Sequence, residues 1–216
     1  MMTRVIYDMD KTITRAPTYT RWLVYWACRE APWRLGLLPV AGVAGIGFRV
    51  GLLSRKRLKE IAQLLLMGDA APRARVDRRA AGFARRIAGR GLMPGAVAQF
   101  AADRADGHEI VIATASHAFY ASAIAAALGV DRIVATGSVW DGDRLRARIA
   151  GDNCYGPVKA VMVAAAFPGE RFVRAYSDHV SDAALFALAD EPVAVTPSAA
   201  LRRLAAVRKW RVVDWR

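Results

Sequence analysis

The sequence VIYDMDKT at residues 5–12 decides the fold, because it joins an apolar strand directly to a pair of carboxylates. Residues 5–7 predict a buried β-strand, and Asp8 and Asp10 follow at its end. In an open α/β sheet, ligands bind beyond the carboxyl ends of the strands. Two carboxylates at i and i+2 can hold a hard cation and leave one oxygen free to attack phosphorus. Taken alone, this pattern also fits a solvated turn.

The rest of the chain alternates short apolar runs with helical patterns. This alternation predicts an α/β fold, in which a Rossmann-like parallel sheet is covered by helices on both faces. Further strands are predicted at 109–113, 131–135, 172–176 and 192–195, and helices at 95–106, 118–128, 157–166, 181–189 and 198–207. The turn signal at 141–143 predicts a hairpin.

Residues 15–92 interrupt the alternation. They contain no convincing strand, and their pattern predicts several successive helices. We therefore expect a helical cap inserted after the first strand. The prediction is a catalytic core domain of residues 1–14 and 93–216, with a helical cap domain of residues 15–92. A chain of 216 residues is long enough for one domain with such an insertion.

The positive charge is concentrated in the predicted cap. The formal net charge is +13, and the stretch from Arg15 to Arg90 contains 16 Lys and Arg against four Asp and Glu. A basic surface of this kind indicates an anionic partner, namely phospholipid headgroups, nucleic acid or a phosphorylated substrate. No recognisable nucleic-acid motif accompanies the basic stretch, and we expect no nucleic-acid partner.

One apolar segment of the cap has two interpretations, a membrane-interfacial helix or part of the cap core. Residues 35–48 carry no charge, and they are too few for the ~20 residues that a bilayer-spanning helix needs. Trp22, Trp26 and Trp33 precede the segment, interleaved with arginines, which is the composition that a membrane–water interface favours. A cap core with a solvated basic rim explains the same pattern about equally well.

The cysteines and the N-terminus indicate a location. Cys28 and Cys154 lie far apart in sequence and are interpreted as small buried hydrophobes in a reducing compartment. The first strand begins too early to leave room for a signal peptide. We therefore expect a cytoplasmic protein, with peripheral contact to anionic lipid at the inner face of the cell membrane through the basic cap.

Two further polar clusters follow predicted strands. At 114–116, Thr-Ala-Ser offers a hydroxyl and free backbone amides for a phosphate oxygen, and Ser116 is also predicted to cap the next helix. Lys159 lies in the first turn of a predicted helix, where the helix dipole disfavours a cation. That position indicates a specific anionic partner for the lysine.

The last cluster contains two more carboxylates, Asp178 and Asp182, after the strand at 172–176. Gathering them beside Asp8 and Asp10 would be costly without a cation, because like charges raise one another's pKa. Oxygen-only ligands favour Mg²⁺ over Zn²⁺. The sequence therefore predicts a magnesium site.

In order and spacing, the four clusters resemble the four motifs of the haloacid dehalogenase-like superfamily. The resemblance covers essentially the full chain and is nearest to the phosphoserine phosphatase-like branch (subfamily IB). It implies a Mg²⁺-dependent phosphomonoester hydrolase that forms an aspartyl-phosphate. Asp8 would be the nucleophile. Asp10 would protonate the leaving oxygen, then activate water, and lend its backbone carbonyl to the metal.

The same resemblance implies roles for the other matching residues. Thr114 and Ala115 would hold phosphate oxygens, and Lys159 would neutralise charge on Asp8 and on the phosphoryl group. Asp178 would ligate Mg²⁺ together with Asp8 and Asp10, while Asp182 and Thr12 would support the site. Two departures, Lys11 for a common glycine and His179 for a common serine, remove no catalytic group.

The cap indicates the substrate class. Its apolar segment with Trp and Arg is similar to that of the phosphatidylglycerophosphatase C-like group, which implies a phosphate on a phospholipid headgroup, such as phosphatidylglycerophosphate. One alternative is a phosphatase for a small soluble metabolite such as phosphoserine. A non-enzymatic alternative is an anionic-membrane-binding module on a phosphatase scaffold. The presence of a matching residue at every catalytic position argues against it.

Overall fold

A computed structural model describes residues 3–216 and shows a sheet with helices on both faces. Its strands are β1 (Arg4–Asp8), β2 (Ala71–Pro72), β3 (Glu109–His117), β4 (Arg132–Asp141), β5 (Arg144–Ala150), β6 (Phe172–Ser177), β7 (Ala189–Val195) and β8 (Arg211–Val213). Its α-helices are α1 (Thr18–Glu30), α2 (Leu38–Arg49), α3 (Arg55–Met67), α4 (Arg73–Arg90), α5 (Pro94–Ala105), α6 (Ala118–Ala127), α7 (Pro157–Ala166), α8 (Ala183–Phe186) and α9 (Ala199–Arg208). Short 3₁₀ turns span Pro32–Leu37 and Val180–Asp182.

Strand β1 lies in the middle of the sheet, whose order is β2-β5-β4-β3-β1-β6-β7-β8. In this spatial order, all neighbouring strands from β4 through β3, β1, β6 and β7 to β8 are parallel. Strand β5 pairs antiparallel with β4 and with β2. Val5 and Tyr7 enter one hydrophobic cluster and Ile6 enters the other, so successive side chains are buried on opposite faces. The predicted α/β fold is confirmed.

Several predicted boundaries differ from the structure. The strand predicted at 109–113 continues to His117, because it carries on pairing with β4 beyond an irregularity between Thr114 and His117. The helix predicted at 181–189 is shorter, a 3₁₀ turn at Val180–Asp182 followed by α8, because β7 already begins at Ala189, which pairs with Phe172. Strand β8 was not predicted, since three residues that are largely exposed carry no apolar pattern.

The predicted hairpin is present, with β4 ending at Asp141 and β5 beginning at Arg144. Gly142 has φ 55°, a left-handed conformation that glycine adopts without strain. Beyond the hairpin, Ala71 and Pro72 pair with β5. The expectation of no strand in residues 15–92 was therefore wrong at this point, because an edge of β5 is available to a two-residue extended segment.

The helical segment 15–92 shares a core with the sheet domain. Trp22 is fully buried and stacks on Tyr120 of α6, with ring centroids 5.2 Å apart, and Phe83 packs edge-on against it. Cys154 is buried as predicted, but Cys28 is exposed, because it lies on the face of α1 that does not enter this core. Within residues 3–216 we find no helix that has both the length and the apolar character to cross a membrane.

Candidate active site

The carboxyl ends of β1, β3 and β6 meet at the floor of a cavity of about 590 Å³. Since the three strands are adjacent and parallel, the residues that follow them converge. Side chains from these ends and from α7 line the floor, namely Asp8, Asp10, Ser116, Lys159, Asp178 and Asp182. Helices α1, α2 and α3 form the opposite wall, which is largely apolar.

Lys159 is the electrostatic centre of the floor. It is 2% exposed, and its Nζ donates to Asp8 Oδ1 at 2.7 Å and to Asp182 Oδ2 at 2.9 Å. Burial by itself would lower the pKa of Lys159, but the charges of the two carboxylates outweigh it and raise that pKa. Asp182 is also held by the Ser177 hydroxyl at 2.7 Å. Lys159 therefore stays charged and fixed beside Asp8.

Three carboxylates of the floor lie close enough to affect one another's charge. Burial raises the pKa of Asp8, with Asp182 and Asp178 adding to the effect and Lys159 opposing it. Burial likewise raises the pKa of Asp178 to about 6, although the charge of Lys11 opposes the shift. Oδ1 of Asp182 has no hydrogen-bond partner among the described residues. A bound cation would favour the ionised forms of these carboxylates.

The donor set fits a hard cation with few protein ligands. Among residues 3–216, the side chains of His, Cys, Asp and Glu form no group of three close enough to hold a metal. Asp8 and Asp178 supply two carboxylates, and Asp10 can add its backbone carbonyl, which is not a side-chain donor. Mg²⁺ commonly keeps several waters and takes only one or two carboxylates, so these residues fit it.

Asp10 is held apart from the Lys159 cluster by neutral donors. Its Oδ1 accepts from the Thr18 backbone N–H at 2.8 Å, and its Oδ2 accepts from Ser116 Oγ at 3.0 Å. The turn between Asp8 and Asp10 continues through Lys11, whose φ of 63° lies in the left-handed region where glycine is favoured. Lys11 thus adopts the backbone form that the usual glycine would adopt.

Thr12 is fully buried, and its hydroxyl lies 3.4 Å from Asp8 Oδ2. This is a long hydrogen bond, which places Thr12 beneath Asp8 and away from the cavity. The structure thus brings together the residues predicted for this loop.

Thr114 does not reach the cavity. It is fully buried, and its Oγ1 accepts a hydrogen bond from the Ser116 backbone N–H at 3.0 Å. Ala115 and Ser116 line the cavity instead. Ser116 was predicted to cap a helix, which is wrong because α6 begins at Ala118 after the longer β3. Of the residues at 114–116, the hydroxyl-bearing one that lines the cavity is Ser116.

Lys59 is a site residue that the sequence analysis did not identify. It projects from α3, is 8% exposed, and donates to Ala115 O at 2.5 Å and to Asn153 Oδ1 at 2.6 Å. It lines the cavity, and within the described residues it forms no ion pair. Burial lowers its pKa to about 8, while Asp10 opposes the shift. No local pattern marked it, because it stands in a run of basic residues.

Comparison with known proteins decides the family. A sequence profile described as haloacid dehalogenase-like hydrolase matches residues 5–187, which include every floor residue. The chain belongs to the haloacid dehalogenase-like hydrolases. The resemblance inferred from the four motifs is confirmed, and the protein is an enzyme of a hydrolase family.

A curated relative and two solved structures are similar to this hydrolase. Protein CicA of Caulobacter vibrioides is 31% identical over 192 residues, covering 87% of this chain and 83% of CicA. A protein of unknown function from Bordetella pertussis Tohama I has a TM-score of 0.88 at 23% identity, with full coverage of both chains. A phospho-aspartyl intermediate analogue of phosphoserine phosphatase has a TM-score of 0.62 at 14% identity, covering 100% of this chain and 95% of that one.

Proposed function

We propose that this hydrolase is a Mg²⁺-dependent phosphomonoesterase that works through an aspartyl-phosphate on Asp8. The observation that carries the proposal is the contact of buried Lys159 with Asp8 at 2.7 Å, on the floor of an open cavity. A buried lysine fixed on a carboxylate is suited to neutralise a phosphoryl group that arrives there. Phosphoryl transfer depends mainly on such positioning and charge neutralisation.

Asp8 and Asp10 divide the chemistry. A carboxylate oxygen of Asp8 attacks phosphorus, and the ester P–O bond breaks as the leaving oxygen takes a proton from Asp10. Asp10 then accepts a proton from water, which attacks the aspartyl-phosphate and releases inorganic phosphate and free Asp8. The contacts of Asp10 with Thr18 and Ser116 keep it off the Lys159 cluster, so it remains available to exchange a proton.

Mg²⁺ fits the carboxylates of Asp8 and Asp178 with the backbone carbonyl of Asp10. When bound, it supplies positive charge to the carboxylates and to the phosphate oxygens. Asp182 supports the site by holding Lys159 from the opposite side to Asp8. The Lys159 ammonium and the backbone at Ala115 then bind the remaining phosphate oxygens.

The cavity wall favours a lipid phosphate as the substrate. Leu23, Leu38, Gly42, Leu58 and Leu66 face the cavity opposite the floor, and they offer no partner for a polar leaving group. An apolar wall beside a phosphate site suits a phosphomonoester whose alcohol carries acyl chains. Phosphatidylglycerophosphate is the leading single choice.

Phosphoserine, or another small soluble phosphomonoester, is the second enzymatic candidate. An amino-acid substrate needs an acidic partner for its ammonium group. Of the described residues that line the cavity, the acids are Asp8, Asp10, Asp178 and Asp182, all at the catalytic floor. Arg55 and Lys59 could bind a carboxylate, but none of these lining acids lies on the outer wall, which disfavours phosphoserine. A membrane-binding module without catalysis is disfavoured because the buried charge cluster is complete.

Phosphate release from lipid phosphomonoesters in mixed micelles, with and without Mg²⁺, tests this proposal against phosphoserine. We expect Mg²⁺-dependent turnover that Asp8→Asn abolishes, with the lipid turned over faster. Asp190→Asn is the matched control, because Asp190 is exposed and pairs with Arg171 far from the floor. Faster turnover of phosphoserine would replace the lipid assignment with the soluble one. Full activity in Asp8→Asn would remove the catalytic proposal.

A further inference from the structure

Large apolar side chains are exposed in one part of the cap. Seven of them lie between Trp33 and Leu52, and their exposed fractions range from 40% to 80%. They are Trp33, Leu38, Val40, Val43, Ile46, Val50 and Leu52. A soluble surface seldom gathers so many within one short segment unless another surface covers them.

Three of these side chains lie on the side of α2 away from the cavity, whereas Leu38 lines the cavity. Val40, Val43 and Ile46 recur at a spacing of three and are 52%, 67% and 62% exposed. The inward side of the same helix carries Ala41, Gly42 and Gly45, which line the cavity. None of the residues of α2 is buried. The helix is therefore a thin wall between the catalytic cavity and an uncovered apolar surface, which we call the α2 face.

The chain on both sides of α2 is rich in basic residues. Between Glu30 and Glu60 the chain holds six Lys and Arg and no acid. Arg49 and Arg55 flank the face and are exposed. Two copies of this chain joined through the α2 face would bring these cations together, which is unfavourable. An anionic surface with an apolar interior matches both the charge and the exposed side chains.

We propose that the α2 face docks on anionic phospholipid bilayers, with α2 lying in the plane of the interface. Its 12 residues span only about 18 Å at 1.5 Å per residue, well short of the ~30 Å hydrocarbon core. Short helices with one apolar side and basic flanks bind in the plane of the membrane–water interface. This proposal rests on the proposed function. Docking would place the cavity beside lipid phosphates, so the lipid would not have to leave the bilayer completely.

Vesicle cosedimentation tests the docking independently of catalysis. The protein carries Asp8→Asn, and the vesicles contain phosphatidylcholine alone or with phosphatidylglycerol, neither of which is a phosphomonoester. We expect binding to the anionic vesicles that weakens with salt. The double substitution Val43→Glu and Ile46→Glu should lower the partition coefficient about tenfold or more. Since both positions are exposed, folding should be retained, as checked by circular dichroism.

The matched control is Val161→Glu with Val207→Glu, at valines that are 67% and 79% exposed on α7 and α9. This pair should bind vesicles as Asp8→Asn alone does. The proposal would be overturned if the protein did not bind anionic vesicles, or if both double substitutions lowered vesicle binding equally. It would also be overturned if sedimentation equilibrium showed a dimer that the substitutions at Val43 and Ile46 dissociate. If the glutamates disturb folding, Val43→Ser with Ile46→Ser replaces them under the same criteria. Vesicle binding does not require phosphatase activity, so failure of the proposed function would leave the cosedimentation result unchanged.

Discussion

The hydroxyl of Ser116 donates a hydrogen bond to Oδ2 of Asp10 across 3.0 Å, which links β3 to the loop after β1. We expect Ser116→Ala to lower kcat/KM roughly tenfold to a hundredfold, because a hydrogen bond to a carboxylate contributes about 1.5–3 kcal/mol. Thr114→Ser keeps the buried hydroxyl that receives the Ser116 amide and should leave kcat unchanged. Steady-state kinetics of both variants measure the difference. A larger loss in Thr114→Ser than in Ser116→Ala would contradict the importance of the hydrogen bond from Ser116 to Asp10.

Lys159→Met should abolish turnover and also destabilise the protein. It removes the cation shared by Asp8 and Asp182, which leaves two buried carboxylates without that counter-charge. Breaking a buried ion pair on one side costs about 3–5 kcal/mol. Urea unfolding measures the stability, with Lys209→Met as the control, since Lys209 is exposed on the surface. A stability loss no greater than the control's would contradict the central role of Lys159.

Asp178 links metal binding to stability. Its pKa in the folded protein is about 6, above its ordinary value of 3.8, so the folded state binds more protons between these pH values. Stability therefore falls as the pH rises through this window. Without metal at pH 7, Asp178→Asn should raise the melting temperature by a few degrees.

Added Mg²⁺ should then reverse that order. At about 100 times its Kd, a ligand that binds only the folded state stabilises it by about 2.7 kcal/mol. Wild type should gain this stability and Asp178→Asn should not. Calorimetric scans with and without Mg²⁺ decide the matter; an equal Mg²⁺ shift in both proteins would remove Asp178 from the metal site.

Lys59 should lower stability at neutral pH. Its pKa is about 8 in the folded protein against an ordinary 10.5, so the unfolded chain binds more protons between these values. Stability due to this group therefore rises with pH from 8 to 10.5, by at most about 1.4 kcal/mol per unit. The gain of Lys59→Met over wild type should be largest below pH 8 and shrink toward pH 10.5. Melting curves across this range measure it, and a pH-independent difference would contradict the assignment.

Gly45 should control which substrates enter the cavity. A Cβ at Gly45 would meet nothing within 4 Å, and the residue faces the cavity. Gly45→Leu should raise KM for a lipid phosphomonoester about tenfold, by excluding one or two methylenes, and leave para-nitrophenyl phosphate unaffected. Gly89→Leu is the control, since Gly89 is an equally open helical glycine on α4. Equal effects on the two substrates would show that the apolar wall does not select them.

The sequence predicted the sheet and its central strand because those features depend on local patterns. An uninterrupted apolar run such as 5–7 has few ways to be buried except between two layers. The convergence of Asp8, Lys159 and Asp182 also followed, since parallel strands end at the same edge.

Features set by tertiary contact were not predictable in the same way. The extension of β3 to His117 depends on pairing with β4, and within this strand Ser116 lines the cavity while Thr114 is buried. Lys59 reaches the site only because α3 packs there, although its immediate sequence resembles a solvated basic helix. The exposure of α2 likewise depends on what its neighbours leave uncovered.

The pairing of β2 with β5 joins two stretches of chain that are far apart in sequence. Residues 132–136 of β4 pair with β3, whereas residues 137–141 pair with β5, so the strand passes from the core sheet into the hairpin at Gly137. Because β5 also pairs with β2, the hairpin is attached to the helical segment 15–92. Any exchange of substrate selectivity between relatives by transplanting the helical segment would therefore have to move residues 137–150 with it.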